Sequence, residues 1–287
     1  MIGRRNILAT ALTAPWLGAA VPESEALRSH MADLEKSSGG QLGVAALATS
    51  SGKSFAWRGD ERFALCSTFK LLLAAAILQR IDRGQEQFGR RLTITKADLL
   101  PHSPVTERHI GRDAATVALL VQAIVEVSDN GAANLLLASV GGPPGLTKIL
   151  RSWGDTVTRL DRIELALNQA IPGDPRDTTS PLAMLADLQR IALGNLLSPA
   201  SRALLIGWMR NCQTGQARLR AGLPAGWSVG DKTGTNDHST ANDVAIAWPP
   251  GRAPILISCY LTGSTAPPAR QDALHAAVAR AVVAYLN

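Results

Sequence analysis

Cysteine is scarce in this chain, three residues in 287, and none of Cys66, Cys212 and Cys259 forms a Cys-x-x-Cys pair. An odd, scattered set excludes a zinc ribbon and a disulfide framework, leaving at most one bridge whose partners the spacing does not choose. The histidines, His30, His102, His109, His238 and His275, contain no His-Glu-x-x-His, so the spacing points to no resident metal and no cofactor. Aromatic residues make up only 4% and charged residues 18%, against 46% hydrophobic, which excludes a disordered chain. Ala-Leu richness in that balance points to many helices. No apolar run reaches the roughly 20 residues that cross a bilayer, and no internal repeat or low-complexity linker is present. The formal charge is +6, but two of the cations are Arg4 and Arg5 and no Lys/Arg run follows, so a nucleic-acid partner is not expected.

What is present begins with Arg4-Arg5, an apolar stretch over 7–17 and the small residues Gly18-Ala19-Ala20. These are the parts of an export signal covering 1–20, of the paired-arginine kind. No cysteine near the cleavage point supports a lipid anchor, so the mature protein is expected to be periplasmic or secreted, unanchored and monomeric. Beyond it the pattern predicts a helix over 23–36 and strands over 41–49 and 54–57. Further β-rich segments fall at 227–230, 242–248 and 254–262, before a closing helix over 269–286. Strands at both chain ends most simply share one sheet. The expected fold is therefore α/β of the α+β type, an antiparallel sheet flanked by helices plus an all-helical lobe. Residues 21–65 and 211–287 would form the first unit and 66–210 the second, with the active site between them.

The centre of the pattern is Cys66-Ser67-Thr68-Phe69-Lys70 and the run Leu71 to Leu78. Residues 69–84 read as a helix apolar on nearly all sides, hence buried. Ser67 falls at its first turn, beside free N–H groups and the positive end of the dipole, with Lys70 three residues on along the same face. A lysine able to shed its proton activates such a hydroxyl. A second Ser-x-x-Lys, Ser50 to Lys53, opens no helix and lies in a turn between strands. Ser128-Asp129-Asn130 occupies a break between two helices, and Lys232-Thr233-Gly234 follows the 227–230 strand. Ser128 can relay a proton, Asn130 offers an amide, and Lys232 with Thr233 presents a cationic, hydroxylic site for a carboxylate.

These three motifs in this order resemble the class A serine β-lactamases and their penicillin-binding relatives. Two further matches point to the β-lactamases: Glu164-Leu165-Ala166-Leu167-Asn168 on the irregular 159–177 stretch, and Arg162 with Asp177 at the neck of an Ω-shaped loop over about 162–177. The resemblance implies a β-lactam substrate and the catalytic set Ser67, Lys70, Ser128, Glu164, Asn168 and Lys232. Ser67 would attack the lactam carbonyl and Ser128 would protonate the departing nitrogen. Glu164 and Asn168 would hold the water that hydrolyses the acyl-enzyme. It also implies an oxyanion hole at the backbone N–H groups of Ser67 and Thr235, with either Lys70 or Glu164 as the acylating base. Asn130, Thr233, Gly234, Thr235, Arg218 and His102 would contact substrate.

Lys-Thr-Gly-Thr and Arg218 are similar to the carbapenem-hydrolysing subgroup, in which a cysteine just before the nucleophile is bridged to one two residues after Lys-Thr-Gly. Here that second position is Asn236, so Cys66 is expected to be a buried free thiol. The family often has a proline in cis after the loop glutamate, whereas this chain has Leu165. Two rivals share the first three motifs: a D-Ala-D-Ala transpeptidase or carboxypeptidase, and a β-lactam sensor that stays acylated. Neither has a use for Glu164 and Asn168.

Overall fold

The chain is described by a computed structural model over residues 22–111, 114–236 and 239–287. The export segment expected at 1–20 lies outside the described residues. Helix α1 (Pro22–Ser38) leads into strands β1 (Gln41–Ala48), β2 (Ser54–Trp57) and β3 (Phe63–Ala64). A 3-10 turn, Cys66–Thr68, then opens α2 (Phe69–Asp82). The helical block follows: the short strands β4 (Arg91–Leu92) and β5 (Ala115–Thr116), then α3 (Val117–Glu126), α4 (Asn130–Ser139) and α5 (Gly142–Ser152). After β6 (Thr178–Thr179) come α6 (Pro181–Ala192), α7 (Pro199–Arg210) and α8 (Leu219–Gly222). The chain closes with β7 (Ser228–Thr235), β8 (Ala241–Trp248), β9 (Ile255–Thr262) and α9 (Pro268–Leu286).

The main sheet has five strands in the order β2-β1-β9-β8-β7, every neighbouring pair antiparallel. Its period-two alternation feeds two separate cores. Val44 and Ala46 on β1 and Ile257, Cys259 and Leu261 on β9 pack with Met31 of α1 and Val278 and Val282 of α9. Ala45, Leu256 and Tyr260 face the other way, into the core built on α2. Both faces are covered, which is why β8 and β9 read as near-continuous apolar runs rather than as alternating ones.

Helix α2 is buried from Phe69 to Gln79, with α3, α4, α5 and α7 packed around it. Each leucine so buried contributes about 1.5–3 kcal/mol. Serines cap the flanking helices: Ser180 Oγ accepts from Ala183 N at 3.2 Å and Ser198 Oγ from Ser201 N at 3.2 Å, each ahead of a proline in the first turn.

Three local expectations shift. Ser67 lies in the 3-10 turn that precedes α2 rather than in its first α-helical turn. Asn130 opens α4 instead of sitting in the break, because Asp129 caps that helix by accepting from Ala132 N at 2.8 Å. Lys232, Thr233 and Gly234 lie inside β7 rather than after it. They pair with Val244, Asp243 and Asn242, so β8 carries the strand on to Thr235.

Candidate active site

The turn that carries Ser67 is tied down before any substrate is considered. Asn242 Nδ2 donates to Ala64 O at 2.8 Å and to Leu65 O at 3.2 Å, and Leu65 N donates to Asp177 O at 2.8 Å. Gly234 of β7 presses against the same turn: a Cβ there would stand 2.8 Å from Leu65 O and 3.1 Å from Ser67 N. Only glycine permits that approach, and it brings the backbone of Thr235 beside that of Ser67. Cys66, Ser128 and His102 have positive φ values of 42, 58 and 59°. Non-glycine residues held this way cost about 1–3 kcal/mol each and collect where surrounding structure over-determines them.

Lys70 and Lys232 converge on one hydroxyl. Lys70 Nζ lies 3.3 Å from Ser128 Oγ and Lys232 Nζ 3.0 Å from it, and both lysines are fully buried. Lys70 Nζ also donates to Ser128 O at 2.8 Å and Asn130 Oδ1 at 2.5 Å, and pairs with Glu164 Oε1 at 3.0 Å. Burial holds Lys70 below the usual lysine range, against the pull of the Glu164 charge. Burial also pushes Lys232 down to about 8, with the Lys70 charge adding to the effect.

The loop supplies the carboxylate. Its neck is closed by Arg162 Nε on Asp177 Oδ2 at 2.5 Å, with Asp177 Oδ1 accepting from the backbone of Asp161 and Arg162. The Glu164–Leu165 peptide is cis. Asn134 clamps Glu164 from α4, donating to its carbonyl and accepting from its amide, both at 3.0 Å. The side chain then has Oε1 3.4 Å from Ser67 Oγ and Oε2 2.6 Å from Asn168 Nδ2. Sequence reasoning missed Asn134. The signal was a polar residue four positions after Asn130, on the same face of an otherwise apolar helix.

A cleft of about 540 Å³ opens over these groups, lined among others by Ser67, His102, Ser128, Asn130, Asn168, Thr233, Gly234, Thr235 and Asn236. Thr214 also lines it, with no motif to announce it. Arg218 does not. It is buried behind β7, donating to Gly234 O at 3.0 Å, Asn242 O at 2.8 Å and Thr235 Oγ1 at 2.8 Å, and pairing with Asp272 at 2.8 Å. Its reach to the cleft therefore runs through the Thr235 hydroxyl.

His102 is held at the rim by its own carbonyl, which accepts from Asn130 N at 3.0 Å, and by its Nε2, 2.8 Å from Val127 O. All three cysteines are free and buried, and burial pushes the Cys66 thiol up to about 12. Where the cysteine-bridged subgroup has its second cysteine, Asn236 Oδ1 accepts from Ser239 N at 3.0 Å and Thr240 N at 2.8 Å, and its Nδ2 donates to Asn168 O at 3.4 Å. Among the described residues no group of three His, Cys, Asp or Glu is placed to hold a metal ion.

Compared with known proteins, residues 26–286 match the profile described as the β-lactamase enzyme family. The chain is 45% identical over 262 residues to the β-lactamase OXY-1 of Klebsiella oxytoca, covering 90% of each. It is 44% identical over 263 residues to the β-lactamase CTX-M-8 of Citrobacter amalonaticus, covering 91% of this chain and 90% of that one. Among solved structures it resembles the reconstructed last common ancestor of Gram-negative class A β-lactamases, with a TM-score of 0.89 and 58% identity over 91% of this chain and all (100%) of that one. A β-lactamase from Xanthomonas campestris pv. campestris superposes with a TM-score of 0.90 at 49% identity, covering 93% of this chain and 100% of that one.

Proposed function

This chain belongs to the β-lactamase enzyme family and is a class A serine β-lactamase, and we propose that it opens penicillins and cephalosporins through an acyl-enzyme on Ser67. The observation that carries the proposal is the placement of Glu164, one oxygen 3.4 Å from Ser67 Oγ and the other fixed by Asn168 at 2.6 Å. A carboxylate so held takes the serine proton, directly or through a water, and later activates the water that frees the acyl group. Asn168 Oδ1, buried and without a hydrogen-bond partner among the described residues, offers that water an acceptor. Lys70, held below the usual lysine range by burial and 3.0 Å from Glu164 Oε1, is placed to take the serine proton in its stead.

Ser128, between the two ammonium groups, passes a proton to the departing lactam nitrogen. The tetrahedral oxyanion lies between the N–H groups of Ser67 and Thr235, each such donor contributing about 3 kcal/mol. Lys232, Thr233 and Thr235 receive the substrate carboxylate and Asn130 its acylamino group, with His102 at the rim. No helix among the described residues is long and apolar enough to cross a membrane. The protein acts as a monomer outside the cytoplasm, delivered by residues 1–20.

The test is turnover of a chromogenic cephalosporin by purified protein, followed by Glu164→Ala. That variant is expected to acylate Ser67 and to release product about 10²–10⁴-fold more slowly, with the adduct visible by mass spectrometry. Unchanged steady-state turnover would remove Glu164 from the mechanism, and a stable adduct on the unaltered protein would favour a sensor. A penicillin, a cephalosporin and a carbapenem assayed side by side read the substrate range.

A further inference from the structure

Thr214 enters the cleft from the segment after α7, outside every motif. Its Oγ1 lies 2.5 Å from Thr233 Oγ1 on one side and 3.3 Å from Cys212 Sγ on the other. A hydroxyl–hydroxyl–thiol chain thus runs from the cleft wall to a cysteine that is 1% exposed. Each member has one proton to give, so two arrangements run continuously along the chain, one inward and one outward. Pointing inward, Thr233 donates to Thr214, Thr214 to sulfur, and the thiol proton is left toward the charge of the buried Asp231, whose Oδ2 has no hydrogen-bond partner among the described residues. Pointing outward, the thiol donates to Thr214, Thr214 to Thr233, and Thr233 to an acceptor in the cleft.

The neighbouring charges favour the outward sense once a substrate carboxylate arrives. Asp231 is a poor terminus: Arg220 engages its Oδ1, Asp243 stands nearby, and burial pushes the carboxyl group above the usual range, so its unpartnered Oδ2 tends to hold a proton rather than accept one. The thiol keeps its proton because burial raises it as well. A carboxylate beside Lys232 is the stronger acceptor. Thr235 obeys the same logic by other means, since the Arg218 guanidinium only donates and therefore leaves the Thr235 proton facing outward.

We propose that Cys212 and Thr214 are positioning residues for substrate recognition, filling the acceptor side of Thr233 Oγ1 so that its proton is presented to the substrate carboxylate. The inference rests on the reading of Lys232 and Thr233 as the carboxylate wall. It makes specificity for an anionic β-lactam depend on a buried thiol two hydrogen bonds from Thr233 Oγ1.

The test compares a cephalosporin carrying a free carboxylate with its methyl ester, on the full chain and on Thr214→Val, Cys212→Ala and Cys212→Ser. Thr214→Val is expected to raise KM for the acid about tenfold with kcat nearly unchanged, and to leave the ester unaffected. Cys212→Ala moves the acid about two- to threefold the same way, and Cys212→Ser restores it, because a hydroxyl donates better than a thiol. The acid-to-ester ratio of kcat/KM on one preparation cancels any loss of folded protein. An unaltered enzyme that fails to prefer the acid overturns the carboxylate wall, and the inference with it. A preference that survives in Thr214→Val, or Cys212→Ser behaving like Cys212→Ala, overturns the inference alone.

Discussion

Ser128 Oγ stands 3.3 Å from one buried ammonium and 3.0 Å from another, so the protonation of those lysines governs the cleft. Lys232 is held down to about 8 from an ordinary 10.5. Between those values the unfolded chain binds the proton more tightly. The lysine's contribution to stability therefore rises with pH across that window, and its cost is complete below about pH 8. In the proposed carboxylate wall, recognition runs in the opposite sense, since the positive charge that Lys232 offers a carboxylate disappears as pH passes 8. For a carboxylate-bearing β-lactam, kcat/KM is expected to fall roughly tenfold per pH unit above that point, while the methyl ester declines less. Lys232→Arg, charged throughout, should flatten the alkaline limb. A limb that persists in the arginine variant would assign it to another group.

The loop that carries Glu164 has its base on α6, through a pair of buried acids. Asp155 Oδ1 accepts from Val157 N at 2.7 Å and Thr158 N at 3.0 Å, and so shapes the chain that enters the loop. Asp187, on α6, is fully buried. The Oδ2 atoms of Asp155 and Asp187 are both buried, with no hydrogen-bond partner outside the pair among the described residues. Burial first, and the Asp155 charge second, push Asp187 up to about 8 from 3.8, so the pair is expected to keep one proton between them. Arg190 pairs with Asp187 at 2.7 Å but is itself 37% exposed, and its solvent-screened charge does not offset the burial. The folded state thus keeps a proton that the unfolded chain has lost, so stability falls as pH rises from about 4 to about 8 and levels off above. Asp187→Asn donates permanently to Asp155 and removes that slope. Its Tm is expected to exceed that of the parent by a margin that widens from pH 5 to pH 8, at about 2–4 °C per kcal/mol, in thermal melts across that range. Parallel melting curves would mean that the pair does not share a proton.

The whole molecule depends on α9 and β9 closing the sheet that β1 begins. Val278 of α9 is fully buried against that sheet, so Val278→Asp places an unpaired charge there. Its expected cost of several kcal/mol is comparable to the stability of a typical domain. Loss of both cooperative melting and turnover is expected, whereas Arg280→Asp, on the exposed side of the same helix, should change neither. The shared sheet, the buried α2 and the three motifs with Glu164 were legible in the sequence, because each is a periodicity or a local spacing. Three things were not. Lys232 lies within a strand rather than after one because β8 pairs with it. Arg218 serves Thr235 rather than the cleft, because Asp272 and two carbonyls claim its donors. Thr214 reaches the site through tertiary packing that no spacing encodes, and Asn134 through a helical spacing from Asn130 that no motif contains. The amide that fixes the turn before Ser67 belongs to Asn242, 178 residues after the Ala64 carbonyl it holds. At about 5–20 residues per second, that partner leaves the ribosome on the order of 10 s after the serine does. The order of manufacture therefore sets when the turn that carries Ser67 is completed: it waits for an amide on β8, among the last strands to be synthesised.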